Sequence, residues 1–243
     1  MTNETAEFER NGFTVLREQI PTAVIADLRH DVLKAYGAAI ENQQETTETG
    51  LWKSLDSADR IWRLPQLTNA ALRFLGCEQV RLWQDQVIIK RAQHGTSTDW
   101  HQDFPYWPMS SPSAVTCWIP LCDVDDTSGA MRFLAGSHLA GIPQQILPLN
   151  IDKVLSKIRE ANRDVETSEL VRSVPLSLGD CTFHSGLVVH GAHPNVSDQA
   201  RIAYKIVYMA EGTTFRFQWH TATSGIALRE GDPIVGIDFP LAS

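Results

Sequence analysis

Val80-Arg81-Leu82-Trp83-Gln84-Asp85-Gln86-Val87-Ile88-Ile89-Lys90 is the stretch at which the chain changes character. Helical patterning precedes it. After it, short β-type runs recur at Ala114–Leu121, Met131–Leu134, Val174–Leu178, Asp180–His190, Arg201–Ala210 and Thr213–Trp219, each bounded by Gly, Pro, Asn, Asp or Ser. Seven such strands behind a helical start predict a mainly β chain, α+β in class: a sandwich or jelly roll with helices packed outside.

Upstream, an acidic helical turn leads into a strand over Gly12-Phe13-Thr14-Val15-Leu16. Pro21-Thr22 opens a helix that puts Ile25, Leu28, Val32 and Tyr36 on one face. Glu41–Gly50 is polar and reads as a loop, whereas Leu67–Leu75 reads as a helix stopped by Gly76. Downstream, Ile151, Val154, Leu155 and Ile158 have helical spacing and predict a helical insertion between strands. The expected organisation is one domain over 1–243, with helical support to about 79, a core over about 80–243 and an insertion at about 141–171. Specificity is expected in Glu41–Arg63 and Gly141–Val171, folded over the mouth of the core as a lid.

The 243 residues carry 21 Lys and Arg against 29 Asp and Glu, a net charge of −8, and are 43% hydrophobic. That composition suits a globular core and argues against nucleic acid or an anionic membrane surface as partner. Cys77, Cys117, Cys122 and Cys181 form no CxxC pair, and Cys117 and Cys181 sit inside apolar runs. Met1–Arg10 is polar and acidic, the wrong chemistry for a signal peptide. A reduced, cytoplasmic setting and a small-molecule partner are the expectations.

Three features carry chemistry. Trp100-His101-Gln102-Asp103 is a His-x-Asp at a strand end, where residues two apart share a face and can converge on one ion. Alone, the pair is as consistent with chance. His190-Gly191-Ala192-His193-Pro194-Asn195 ends a strand in His and breaks at once into turn residues, which sets the imidazole at a sheet rim or, more blandly, in solvent. Arg201 opens the next strand, returning antiparallel, and reads either as an edge arginine or as an anion anchor. Together, two His and one Asp give three ligands and leave open positions on a metal, as in non-haem Fe(II) oxygenases. A nearby Arg fork suits the distal carboxylate of a diacid.

The ordered set resembles the phytanoyl-CoA dioxygenase-like Fe(II)/2-oxoglutarate oxygenases over most of the chain. Phe8-Glu9-Arg10-Asn11-Gly12-Phe13-Thr14-Val15-Leu16 is similar to that family's start, and Trp100–Asp103 to its His-x-Asp. Val115–Leu121, Ser128-Gly129-Ala130 and Gly136-Ser137-His138 are similar to its central strands. Gly179-Asp180, Phe183-His184, His190-Gly191, Pro194-Asn195 and Arg201 follow its distal motif in order and spacing. The resemblance implies a cupin-like double-stranded β-helix with Fe(II) on the catalytic residues His101, Asp103 and His190. It also implies Arg201 on the 5-carboxylate of 2-oxoglutarate, with Trp118 and Gln86 as walls of that pocket. Ala192 departs from the pattern, since relatives often carry a Ser there that helps hold the co-substrate.

The implied reaction uses O2 and 2-oxoglutarate to oxidise a small organic molecule, by C–H hydroxylation in the default case, with release of succinate and CO2. The implied setting is bacterial specialised metabolism. An intact Asp103 fits hydroxylation, because related halogenases lack that carboxylate so that chloride can bind iron. Desaturation, epimerisation and ring closure use the same site. Two rivals stand beside this reading: a cupin-like metalloenzyme using Zn2+ or Mn2+ as Lewis acid, and a non-catalytic binding protein.

The other histidines are expected to be structural. Along a continuing strand His184 and His190 would lie about 20 Å apart, which assigns His184 to hydrogen bonds within the sheet. His193 is expected to point elsewhere, and His30, His94, His138 and His220 to be structural too. Alternation from Arg201 puts Lys205 on the same face and would bury an amine, so a bulge or a rim position is expected there. Trp100, Phe104, Tyr106 and Trp107 crowd the metal motif as packing or pocket walls, with Trp52, Phe217 and Trp219 as further candidates.

Overall fold

The computed structural model describes residues 2–142, 149–161 and 167–242. The chain runs α1 (Asn3–Asn11), β1 (Phe13–Leu16), α2 (Thr22–Glu41), β2 (Thr46–Thr49), α3 (Asp56–Trp62) and α4 (Pro65–Leu75). It continues with β3 (Val80–Lys90), β4 (Thr98–His101), β5 (Ala114–Pro120), β6 (Met131–Leu134), α5 (Ile151–Ala161) and α6 (Thr167–Leu170). Then follow β7 (Val171–Val174), β8 (Cys181–Ser185), β9 (His190–Ala192) and β10 (Arg201–Ala210).

Six strands form one sheet in the order β1-β8-β5-β10-β3-β2, and four form a second in the order β4-β9-β6-β7. The pairings are antiparallel. The sheets pack face to face: Phe13 stacks on Phe133 at 4.2 Å, and Trp118 and Ala203 of the large sheet meet Met131 and Ala192 of the small one. The opposite face of the large sheet, with Val87, Cys117, Phe183, Tyr204 and Ile206, is covered by Ile25, Leu28 and Val32 of α2, Trp62 of α3 and Leu67 of α4. Each such side chain taken from water contributes roughly 1.5–3 kcal/mol. The site lies between the sheets, so this helical layer backs the wall that carries half of its residues. No helix of the described chain is long and apolar enough to cross a membrane.

Spacing and end signals located several elements. α2 buries Ile25, Leu28 and Val32 as its period requires, and α4 stops at Gly76, whose φ of 62° lets its N–H reach Leu72 O. β3, β6, β10 and α5 occupy the expected spans.

Four expectations are corrected. Asp180–His190 is not one strand: β8 ends at Ser185, the chain turns at Gly186, and β9 belongs to the other sheet. The turn passes so close to Trp107 that a Cβ on Gly186 would sit 2.5 Å from the indole, so only glycine fits. The strand expected at Val174–Leu178 ends at Val174, because Pro175 cannot donate to a ladder; Leu176 keeps an isolated bridge to Val124. Thr213–Trp219 forms only isolated bridges, at Thr214 and Phe215. Within the expected loop Glu41–Gly50, the threonine-rich β2 pairs with the edge of β3.

The described parts of the two segments expected to form a lid pack largely against the two sheets, while Thr49, Gly50, Trp52 and Lys53 line a cavity beside Gln84. After β2, α3 tucks Ile61 and Trp62 into the core behind the large sheet. α5 buries Val154 and Ile158 against Leu134 and Val189 on the outer side of the small sheet, where its apolar stripe finds apolar partners. The remainder of the second segment, 143–148 and 162–166, lies outside the described residues. The first 79 residues supply two strands of the large sheet as well as its helical cover.

Candidate active site

His101 ends β4 and His190 begins β9, and the two are direct partners across the strands. Their rings lie 4.3 Å apart. Asp103 reaches them by a different route from the extended one expected. Its backbone is helical, at φ −74° and ψ −41°, and opens the tight turn over Phe104–Tyr106. That turn is pinned by Phe104 N–H donating to Gly186 O and by the Gln102 amide donating to Leu187 O. The carboxylate then sits with Oδ1 3.7 Å from His101 Nε2 and 3.8 Å from His190 Nε2. One ligand atom from each of the three residues falls within 4.8 Å of the others.

The tautomers are fixed by the backbone. His101 Nδ1 donates to Asp99 O at 2.8 Å, and His190 Nδ1 donates to Val188 O at 3.0 Å. A carbonyl can only accept, so each Nε2 carries its lone pair inward, as metal-binding imidazoles require. Thr116 Oγ1 donates to Asp103 Oδ2 at 2.8 Å, which orients the carboxylate and leaves Oδ1 facing the imidazoles. Burial pushes the Asp103 carboxyl up, but Lys205, His190 and hydrogen bonds hold it well below the usual range. Burial, with His101 and His184 nearby, holds the His190 imidazole well below its ordinary value. Both groups are therefore in the state that binds a divalent cation. The donor set fits such an ion: two imidazoles, one carboxylate, and a side open to a cavity.

His184 contradicts its expected place. Its ring lies 4.4 Å from that of His190, because the turn at Gly186 brings the two strands' residues together across the sheets. It makes no hydrogen bond within the sheet; both ring nitrogens are buried without one, and Nε2 stands 3.5 Å from Asp103 Oδ2. Burial lowers its pKa, so it packs as a neutral ring behind the carboxylate. His193 does point away, with Nε2 3.8 Å from Asp126 Oδ1. His138 is structural, accepting no ligand role and bonded through Nε2 to Glu9 O at 3.1 Å.

Arg201, Ala203, Lys205 and Val207 share the inner face of β10, directly opposite Lys90, Ile88, Gln86 and Gln84 of β3. Trp118 lies opposite Lys205 from β5, so Trp118, Lys205 and Gln86 form one row across three strands. Arg201 is 2% exposed, and its guanidinium lies over the Trp118 ring at 5.5 Å. One Nη donates to Ile88 O at 3.3 Å, while Nε is buried without a partner. Burial brings the guanidinium pKa down to about 10. Lys90, also buried, donates to His193 O; burial and the neighbouring Arg201 bring its pKa down to about 7. Among the described residues neither cation has an ion pair, a charge pattern that calls for an anion.

A cavity of about 310 Å3 opens beside the triad, walled by Gln84, Thr98, Tyr106, Trp107, Lys205 and His220. Lys205 faces this space: the bulge leaves out Trp83 of β3, opposite the step from Val207 to Tyr208, and comes too late along β10 to turn Lys205 away. Its Nζ is 4.0 Å from Asp103 Oδ1. The alternation from Arg201 had signalled that position. His220, expected to be structural, lines the cavity too; burial, with Lys205 nearby, brings its pKa down to about 4. Thr116, Gln84 and His220 had no signal in the sequence, because their neighbourhood is made by strand pairing and by the turn after Trp219. Of the aromatic candidates, Tyr106 and Trp107 line the cavity, while Trp100 packs under Arg132 at 4.6 Å. Trp52 belongs to a second cavity of about 420 Å3 that shares Gln84 with the first, and Phe217 and Trp219 are exposed.

The two antiparallel sheets bring together two histidines and an aspartate that could hold a metal ion, with a buried arginine nearby, a donor set of the kind found in 2-oxoglutarate oxygenases. The family model for phytanoyl-CoA dioxygenase matches residues 8–203, and the chain belongs to that family. It is 30% identical over 165 residues to L-proline trans-4-hydroxylase of Streptomyces griseoviridis, a match spanning 61% of each chain. It is 28% identical over 242 residues to the ectoine dioxygenase of Bordetella bronchiseptica, covering 85% of this chain and 74% of that one. Among solved structures, the non-haem α-ketoglutarate-dependent carbocyclase SnoK from nogalamycin biosynthesis superposes with a TM-score of 0.82 at 24% identity, covering 100% of this chain and 96% of that one. The epimerase SnoN, solved with Fe3+, α-ketoglutarate and a nogalamycin compound, gives 0.76 at 24% identity, covering 99% and 97%.

Proposed function

We propose that the chain is a single-domain Fe(II)- and 2-oxoglutarate-dependent oxygenase that hydroxylates a C–H bond of a small organic molecule, and that its paired sheets are a double-stranded β-helix. The observation that carries this reading is the pair of Nε2 lone pairs, fixed by backbone carbonyls and aimed with Asp103 Oδ1 at one point. His101, Asp103 and His190 would hold the iron, which when bound supplies the oxidising chemistry that couples O2 and 2-oxoglutarate to substrate oxidation.

The chain's own residues do the rest. Arg201, with an unpartnered Nε and a flat face on Trp118, takes the distal carboxylate of the co-substrate, and Lys90 adds a second charge beside it. Trp118 and Gln86 stand on the same face between that anchor and the triad, as walls of the co-substrate pocket. Thr116 keeps the carboxylate oriented, and Tyr106 and Trp107 exclude water from the cavity. The Lewis-acid alternative leaves two buried cations without a ligand and is disfavoured on that ground. Epimerisation or ring closure, named for the SnoN and SnoK neighbours, would use the same residues with another substrate pose. Four free cysteines are in keeping with a cytoplasmic location. Succinate release that depends on Fe(II), 2-oxoglutarate and O2 tests the reading; turnover indifferent to 2-oxoglutarate contradicts it.

A further inference from the structure

Lys205 has no part in the roles assigned so far. Its side chain is 16% exposed, and its one ionic contact among the described residues is Asp103 Oδ1 at 4.0 Å, beyond hydrogen-bond range. None of its three donors hydrogen-bonds to the protein among the described residues. Asp103 Oδ1 is also the oxygen that faces both imidazoles, so a cation on the triad competes for the carboxylate that Lys205 faces. A half-buried ammonium then stands beside a dication, and that arrangement is favourable only if an anion joins them.

Both carboxylates of the co-substrate are already engaged. The distal one belongs to Arg201 and Lys90, four residues or about 13 Å back along β10 at ~3.3 Å per residue, and the other spends its charge on the metal as a ligand. Asp99, also in the cavity wall, is exposed and of the wrong sign, while Gln84 offers an uncharged donor. At about 310 Å3 the cavity is at the small end of ligand pockets.

Resting on the oxygenase reading, we propose that Lys205 is the specificity-determining residue for the primary substrate, that it holds a carboxylate, and that the substrate class is small carboxylic acids. A carboxylate on Lys205 neutralises the surplus charge and fixes which carbon of the acid faces the metal.

The test uses the full chain loaded with Ni(II), which is redox-inert here, and 2-oxoglutarate. Probes are small carboxylic acids, amino acids included, each paired with its primary amide and followed by saturation-transfer NMR. The wild type binds acids about tenfold or more tightly than the matched amides. Lys205→Met abolishes the preference, Lys205→Arg keeps it, and both variants bind 2-oxoglutarate as the wild type does. Equal binding of acids and amides, no binding of any acid, or a tenfold loss of 2-oxoglutarate affinity in Lys205→Met overturns the proposal. If the wild type takes up neither Ni(II) nor 2-oxoglutarate, the oxygenase reading itself falls, and that outcome is seen before any probe is added.

Discussion

His101 and His190 face each other across β4 and β9, and each ring is tied through Nδ1 to the carbonyl two residues before it, at 2.8 Å for Asp99 and 3.0 Å for Val188. Two strands thus present the same imidazole geometry from opposite sides of one point. Because both tethers are backbone, the orientation of the rings depends on the strand pairing rather than on other side chains. The carboxylate is different: Asp103 depends on Thr116.

Thr116→Val keeps the shape of the side chain and removes its 2.8 Å hydrogen bond to Asp103 Oδ2. Loss of such an outer partner costs about 10–100-fold in metal affinity. Calorimetric titration with Mn(II) measures it. Affinity equal to that of the wild type would show that the carboxylate is oriented by packing alone.

Arg201→Ala removes the buried anchor over Trp118. Affinity for 2-oxoglutarate should fall by an amount in the range of about 2–5 kcal/mol, while metal binding stays as it was. Titration of the Mn(II)-loaded variant separates the two effects. Unchanged co-substrate affinity places the anchor elsewhere.

Lys90 gives a pH signature. Its folded pKa of about 7 lies below the ordinary lysine value, chiefly from burial and then from Arg201. At about pH 8 the amine is mostly neutral, and a carboxylate bound beside it raises the pKa again, so 2-oxoglutarate binding takes up about one proton. Near pH 6 the amine already carries its proton and the uptake vanishes. Calorimetry in buffers of different ionisation enthalpy reads this directly, and Lys90→Met should show no uptake at either pH.

Gly12 tests the packing. It caps α1 at φ +81°, and a Cβ there would lie 2.6 Å from His138 Nδ1 and 3.0 Å from Val188 Cβ. Gly12→Ala combines left-handed strain with overpacking and should destabilise by roughly 2–4 kcal/mol. Urea unfolding checks it; a loss below about 0.5 kcal/mol would mean that the ring moves aside at little cost.

The long elements were legible because each repeats its signal: α2 over several turns, β3 and β10 over ten or more residues. His101, His190 and Arg201 were legible because they sit at strand ends beside turn residues; Asp103 was legible only by its spacing from His101, since it comes in from a tight turn. The misreadings share one physical source. A continuous strand would separate His184 and His190 by its length, because nothing in Gly186-Leu187-Val188-Val189 announces that the chain leaves one sheet for the other; the turn there is packed against Trp107, far back in the sequence. Lys205 was visible as an anomaly of alternation, yet its meaning depends on Asp103, which arrives from a turn on another layer. The polar composition of Glu41–Gly50 reads as a loop, whereas β2 is held there by backbone hydrogen bonds that composition does not report.

The most direct test of the account is an anaerobic titration of the metal-free protein with Fe(II) and then 2-oxoglutarate, followed in the visible. The account predicts a weak charge-transfer band that grows with 2-oxoglutarate to one equivalent and is absent in His101→Ala. Iron uptake without that band would contradict it and favour a Lewis-acid enzyme; no iron uptake at all would leave a binding protein.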